Sequence, residues 1–186
     1  LLLLLPHQAP TLNPTTSPTA VALSTLTGTK APETSLWLNG AQIIPLNAET
    51  AWSHPITLVE GGNVLNVVTK DMFANASATI TTAILLDTSP PAIPVVTDDG
   101  VSTSAFSQLH ATWTSQDLGS GVAQFEYRIG TTPAGSEVVP ATGIGSATEL
   151  TKTGLALSQG QRYYIGTRAK NHAGLWSEWG QVTGYM

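Results

Sequence analysis

The sequence predicts an all-β protein made of two β-sandwiches in tandem. Only 10% of its 186 residues are charged, whereas helices need charged side chains on their solvent-facing side. Thr, Ser, Gly, Ala and Pro take their place. Apolar residues recur at every second position in short segments separated by turn residues, which is typical of strands that bury one face.

Two proline-rich stretches divide the chain into the predicted units. Residues 1–18 are predicted to be an N-terminal extension or linker, because "PHQAPTLNPTTSP" is rich in Pro and Thr. Pro90-Pro91 stops any strand ladder and stiffens the second junction. We therefore expect one sandwich over 19–89 and another over 90–186, each of ordinary domain size.

The chain begins with the apolar run Leu1–Leu5. Five leucines are too few to cross a bilayer, and no basic residue precedes them as in a signal peptide. Three origins stay open: a signal remnant, an apolar strand that docks on a neighbour, and an artefact or part of an upstream segment. We favour the last.

Alternation predicts five strands in the first unit. Asn39-Gly40 is the strongest two-residue hairpin signal, and Gly61-Gly62 marks another turn. The residues expected to face inward are Val21 and Leu23; Leu36 and Leu38; Trp52, Ile56 and Leu58; Leu65 and Val67; and Ala78, Ile80, Ile84 and Leu86.

The second unit shows the same alternation, which leaves Tyr164, Arg168 and Lys170 facing outward. The residues expected to face inward are Leu109, Ala111 and Trp113; Phe125, Tyr127 and Ile129; and Tyr163, Ile165, Thr167 and Ala169. Segments 68–78 and 167–178 share a strand that ends in a cation, then Asp or Asn, then a turn of small residues. This similarity indicates two related sandwiches.

Residues 92–186 resemble a fibronectin type III domain. The resemblance depends on a B-strand tryptophan, an alternating F-strand series, and the Gly and Ser that follow it, which are Trp113, Tyr163, Ile165, Thr167, Ala169, Asn171, Gly174 and Ser177. It implies that Tyr163 is a tyrosine corner whose hydroxyl bonds nearby backbone. It also implies that Leu155 and Leu157 lie at the corner before that strand.

The first unit is similar to the Ig-like modules of large secreted bacterial proteins. The similarity depends on "LTGTKAPETSLWLNG", "TAWSHPITLVEGGNVLNVVTKD" and the final "DTSPP", and the glycine of the usual "D-x-x-G-N" loop is Ala74 here. Such pairs imply an extracellular or cell-surface protein in which modules act as spacers, adhesins or structural subunits.

Composition and motifs argue against several classes of function. Seven cations against twelve acids, spread along the chain, predict no nucleic-acid partner and no membrane insertion. The chain lacks cysteine and the usual catalytic motifs, so we predict no enzyme and no cofactor.

Asp98 and Asp99 are predicted to form a turn, because aspartate side chains accept hydrogen bonds from nearby backbone in turns. The alternative is a calcium ion at the domain junction that they share with Asp87 or Asp117.

Aromatic residues beside cations form the predicted interaction surface: Trp37, Tyr164, Arg168, Trp176 and Trp179. "LWSEWG" resembles the W-S-x-W-S box of cytokine-receptor fibronectin domains, which implies that tryptophans stack on Arg168 and Lys170. Gly180 replaces the last serine of that box and the receptor cysteines are absent, so the receptor function does not carry over.

These observations predict a non-catalytic structural or assembly module of a larger extracellular or cell-surface protein, such as a stalk, filament or surface-coat subunit with an adhesive role. Its partners would be neighbouring modules, identical subunits or a glycan. The alternative is a carbohydrate-binding accessory region of a secreted glycoside hydrolase, in which exposed aromatic rings stack on sugars.

Overall fold

The computed structural model describes residues 8–100 and 106–185, with side chains up to Val182; the leucine run lies outside these residues. The chain divides into two compact units between Thr88 and Ser89. Thirteen strands make up the described secondary structure, and none of the described residues is helical. Those residues therefore include no helix that could span a membrane.

The first unit has six strands in two antiparallel sheets. The strands are β1 (Leu23–Thr29), β2 (Thr34–Leu38), β3 (Ala41–Asn47), β4 (Ala51–Thr57), β5 (Gly61–Lys70) and β6 (Ile80–Leu86). One sheet pairs β1 with β4, and the other has the order β3-β2-β5-β6. The core between them consists of Leu26, Leu36, Trp52, Leu58, Leu65, Val67, Ile84 and Leu86.

The predicted hairpin joins β2 to β3. Asn39 and Gly40 have φ angles of 48° and 84°, and two successive positive values define the type I′ turn that matches the twist of a hairpin. The Asn39 side chain also accepts a hydrogen bond from the Asn66 N–H at 2.8 Å, which ties the turn to β5.

The expectation that Val21 and Leu23 face inward is wrong, because they are 62% and 68% exposed. Leu26 is fully buried and fixes the inward parity of β1 on even-numbered residues. Ala78 is also exposed, since β6 begins only at Ile80. Apolar residues at strand ends can stay in water at little cost, so alternation alone does not determine which set is buried.

The described part of the stretch read from the sequence as a linker is hydrogen-bonded to the first unit. The N–H groups of Thr11 and Asn13 donate to β1, at Thr29 and Thr27, over 2.8 Å each. Thr19 then pairs in parallel with Leu86 at the edge of β6. A strand that lies at an edge needs only every second N–H, so it tolerates prolines that a central strand excludes.

The second unit has seven strands in two antiparallel sheets. The strands are β7 (Val95–Asp98), β8 (Gln108–Thr114), β9 (Val122–Gly130), β10 (Val139–Gly145), β11 (Glu149–Thr153), β12 (Arg162–Asn171) and β13 (Gly180–Tyr185). Their orders are β11-β8-β7 and β10-β9-β12-β13. All ten residues expected to face inward here are buried.

Two features of the second core are those that the fibronectin resemblance implies. Trp113 is 2% exposed, contacts Phe125 at a centroid distance of 6.1 Å, and donates from its indole to the Ala147 carbonyl at 3.0 Å. The Tyr163 hydroxyl accepts a hydrogen bond from the Ser158 N–H at 3.0 Å. The tyrosine corner is therefore present and fixes the turn that leads into β12.

Candidate interaction surface

The outward face of β9 and β12 concentrates the aromatic and cationic residues of the second unit. Because the inward rows of both strands are buried, the alternate residues lie together on the other face of the sheet. The strands pair so that Arg168 lies opposite Glu126. This face therefore carries Glu126 and Arg128 from β9, and Arg162, Tyr164, Arg168 and Lys170 from β12.

Two tryptophans from the segment before β13 stack on these cations. The Arg168 guanidinium lies 4.4 Å from the Trp176 ring centroid and 4.8 Å from that of Trp179. Arg128 lies 4.1 Å from Trp179, and Lys170 lies 5.5 Å from Trp176. All four distances are within the range of cation–π attraction. Both indoles are half-buried, so the stacked series is a packed layer on the sheet.

One carboxylate balances part of the positive charge. Glu126 Oε2 accepts hydrogen bonds from Arg168 Nε at 2.9 Å and Nη2 at 2.7 Å, a charge-assisted contact that fixes the guanidinium plane. Burial, and then the nearby positive charge of Arg168, lower the pKa of Arg128. Stacking of Arg128 on Trp179 therefore offsets the electrostatic repulsion between the two arginines.

Gly166 provides the space under this layer. A Cβ at this position would lie 3.1 Å from Arg128 Nε and 3.5 Å from a ring carbon of Trp179. Any side chain here would push the arginine away from the sheet. The residues predicted from the sequence do not include Gly166, Glu126 or Arg128, although the alternation of β9 already places Glu126 and Arg128 on the outward face.

The turn after β12 holds Trp176 in place. Ser177 is buried; its hydroxyl accepts a hydrogen bond from the Ala169 N–H at 3.0 Å and donates to the Glu178 carbonyl at 2.8 Å. Asn171 Oδ1 accepts from the Leu175 N–H at 2.8 Å. Gly174 takes a positive φ of 94°. These bonds bring Trp176 beside Lys170, where the two residues form an isolated bridge.

The first unit contains the same turn one hundred positions earlier. Ser77 Oγ accepts from the Thr69 N–H at 3.1 Å and donates to the Ala78 carbonyl at 2.9 Å. Asp71 Oδ1 accepts from the Asn75 N–H at 2.9 Å. Ala74, which replaces the expected glycine, still adopts the left-handed conformation with φ of 64°. The backbone of the turn is therefore kept in both units.

The outward side chains differ between the two turns. Ala76 stands where Trp176 stands in the second unit, and the tryptophan of the first unit is Trp37 on β2. Lys70 Nζ lies 3.8 Å from the Trp37 ring centroid, and the indole donates to Ser35 Oγ at 3.0 Å. Each unit therefore has its own cation–π contact between a tryptophan and a cation of a neighbouring strand or segment.

The five predicted surface residues fall into separate groups. Arg168, Trp176 and Trp179 belong to the stacked layer, whereas Tyr164 lies on the same face without a described ring contact to it. Trp37 belongs to the first unit. Their role as a binding surface stays a prediction.

Two of the aspartates considered for calcium, Asp98 and Asp117, are engaged in turns, whereas Asp99 is bonded to His110 Nδ1 at 2.7 Å. Asp98 Oδ1 accepts from the Gly100 N–H at 3.0 Å, and Asp117 Oδ1 accepts from the N–H groups of Ser120 and Gly121 at 2.8 and 2.7 Å. Within residues 8–100 and 106–185, no three His, Asp or Glu side chains come close enough to hold a metal. Calcium at the junction stays an untested prediction.

The first unit has an open groove of about 530 Å³. It is lined by apolar side chains, including Leu38, Ile56 and Leu65, together with polar groups, and His54 is the only titratable residue of its lining. A single imidazole without a nucleophile or second titratable group beside it does not make an acid–base site.

No protein-family model and no curated protein matches the chain. Among solved structures, fibronectin(III)-like modules of Clostridium thermocellum CbhA match at 13% identity over 95% of this chain and 93% of that one, with a TM-score of 0.49. The FN1–FN3 domains of chicken CNTN1 match at 14% identity over 97% and 68%, with a TM-score of 0.42. Domains A168–A170 from titin match at 16% identity over 90% and 60%, with a TM-score of 0.53.

Likeness at such identities is a likeness of fold. The chain has the all-β sandwich fold of fibronectin III-like and Ig-like domains, which confirms the predicted fold class and the predicted domain types. The bacterial setting stays a prediction.

Proposed function

We propose that this chain is a non-catalytic structural or assembly module of a larger extracellular or cell-surface bacterial protein. The observation that carries the proposal is the stacked layer on β9 and β12. Its tryptophans and arginines contact one another and are half-buried, so they stabilise the sheet face of one sandwich. The two tryptophans thus serve packing on the sheet.

Two of the described depressions fit the proposed absence of catalysis. The groove of the first unit offers one imidazole, and a second groove, of about 460 Å³, is lined by Ala92, Ile93, Val95, Thr114, Ser115 and Gln116. None of these six residues is an acid, a base or an activated nucleophile. Neither depression brings together the nucleophile, base and oxyanion donors that a hydrolase needs.

Prolines on outer strands indicate how modules would and would not associate. The strands β3, β4 and β10 each contain one, namely Pro45, Pro55 and Pro140. In β4 the flanking bonds, from the Leu58 N–H to Ala22 and from the Lys30 N–H to Thr50, face β1. Alternation therefore turns Pro55 outward, where its missing N–H blocks strand addition. These prolines therefore favour modules that are joined end to end along one chain over a filament that forms by pairing of sheet edges.

A neutral-sugar platform, the alternative function, needs a bare aromatic face. The cations over Trp37, Trp176 and Trp179 occupy positions that a sugar ring would take. This arrangement favours the structural role over the role of an accessory region in a glycoside hydrolase.

The test is the location of the chain on intact cells of its source. We expect brief protease treatment of whole cells to release peptides from both units, with a cytosolic enzyme as the control for lysis. Release of these peptides only after lysis contradicts the proposed setting, and turnover of a hydrolase substrate by the purified chain contradicts the proposed absence of catalysis.

A further inference from the structure

The cations of this acidic chain are distributed unevenly. The chain has seven Lys and Arg residues against twelve acids, yet four of the seven stand on the outward face of β9 and β12. These are Arg128, Arg162, Arg168 and Lys170. Outward positions of the first unit's matching strands β2 and β5 carry a single cation, Lys70. A local cluster of one sign attracts ligands of the opposite sign even when the net charge is unfavourable.

The carboxylates on this face do not neutralise the cluster. Glu126 is bonded to Arg168, and Glu178 is exposed in the segment between the two tryptophans. Within the described residues, neither Arg128 nor Lys170 forms an ion pair with a carboxylate. The face therefore keeps a positive surplus at both ends of the stacked layer.

Stacking also fixes the cations in space. Arg128 and Lys170 are each held over an indole, at 4.1 Å and 5.5 Å from the ring centroids, and both are half-buried. Side chains that are already ordered lose little conformational entropy when a ligand binds. The cations follow one another along the sheet, so a linear ligand with repeated negative charges fits them better than a compact anion.

We propose that the outward face of β9 and β12 binds a linear acidic polysaccharide. The choice of polysaccharide rests on the extracellular setting proposed above. The carboxylates of successive uronic acid residues would pair with Arg128 and Lys170. Tyr164, on the same face and half-buried, offers a hydroxyl and a ring edge to the sugars.

The test uses the full chain and polygalacturonate immobilised on a resin or a sensor. We expect binding at low ionic strength that is lost as NaCl screens the charges, and no binding to dextran, which is neutral. Lys170→Gln should weaken binding about fivefold, the effect of removing one cation beside an anionic surface. Lys152→Gln removes the same charge from β11 in the other sheet of this unit, and should leave binding unchanged.

The outcomes separate the two proposals. Absence of binding to polygalacturonate, or equal weakening by Lys170→Gln and Lys152→Gln with unchanged melting temperatures, overturns the assignment to this face. Tighter binding to oligodeoxythymidine than to polygalacturonate at equal salt overturns the choice of polysaccharide. Neither result bears on the location of the chain at the cell surface, which the protease test measures separately.

Discussion

The turn after β5 and the turn after β12 have the same backbone but different outward side chains. In both, a serine hydroxyl accepts an N–H from the preceding strand and donates to the next carbonyl. Both include a residue with positive φ. The first turn ends at Ala76, however, and the second at Trp176, which joins a stacked layer. Inward hydrogen bonds thus keep the turn, while its outward side chains differ between the two units.

The largest expected effect is the loss of the stacked layer. Trp179→Ala removes the ring that lies between two guanidinium groups and above Gly166. We expect the second unit to lose about 3 kcal/mol of unfolding free energy. Trp37→Ala in the first unit removes a half-buried ring with one lysine contact and one hydrogen bond, and should cost about 2 kcal/mol. Calorimetry that resolves both transitions checks this, and equal losses would contradict the difference between the units.

The serine of each turn should matter next. Ser177→Ala leaves the buried N–H of Ala169 without its acceptor, at a cost of about 2 kcal/mol. Ser77→Ala should cost about 1 kcal/mol, because Ser77 is only partly buried and water can replace its hydroxyl. Hydrogen exchange measures both effects, as the increase in rate that each substitution causes at the amide it leaves unpaired, Thr69 or Ala169. A larger increase at Thr69 than at Ala169 would reverse the ranking.

A third comparison exchanges one core residue between the units. Thr167 is fully buried and its hydroxyl has no hydrogen-bond partner in the described structure, while Val67 occupies the matching position of β5. Thr167→Val should stabilise the second unit by about 1 kcal/mol, and Val67→Thr should destabilise the first by about 2 kcal/mol. Urea unfolding provides the measurement. A loss of stability in Thr167→Val would show that the hydroxyl has a partner.

The positive-φ position of the turn should give a smaller effect. Ala74→Gly relieves the left-handed strain and should stabilise the first unit by about 0.5 kcal/mol, after allowance for the more flexible unfolded chain. Gly174→Ala introduces the same strain and should cost about 1 kcal/mol. Thermal melting of both variants tests the pair, and changes of the same sign would contradict the equivalence of the two turns.

The smallest expected effect concerns pH in a loop of the second unit. Hydrogen bonds from the Thr131 hydroxyl and N–H lower the pKa of Glu137 to about 2. A lowered folded-state pKa means that these bonds stabilise the loop above the ordinary pKa of glutamate and weaken as pH falls toward about 2. NMR titration of the Glu137 carboxyl should give that midpoint, and an ordinary midpoint near 4 would show that the bonds do not form.

The sequence predicted the second unit more fully than the first. Every residue expected to face inward in the second unit is buried, because aromatic and branched residues there alternate with charged ones. In the first unit, Val21 and Leu23 follow the same period-two pattern, but both side chains are exposed to solvent. Nothing charged stands between them to reveal which parity is buried, so only the packing of Leu26 against the opposite sheet decides it.

The candidate surface was predicted in the same uneven way. The sequence placed Arg168 and Lys170 outward and brought Trp176 and Trp179 to them, because these residues are close in the chain. It did not reveal Arg128 and Glu126, which come from a strand some forty residues away and join the layer only through the register of β9 with β12. Gly166 was missed for the same reason, since its importance depends on what lies above it.

The sequence by itself determined the all-β class, the two sandwiches and the repeated turn, because these depend on alternation, turn residues and local hydrogen bonds. The tertiary structure alone decided the buried parity of β1, the pairing of the N-terminal segment with both sheets, and the concentration of four cations on one face. Each of these depends on strand register and close approach between segments far apart in the chain. Strand register and close approach between distant segments leave no periodic signal in the sequence.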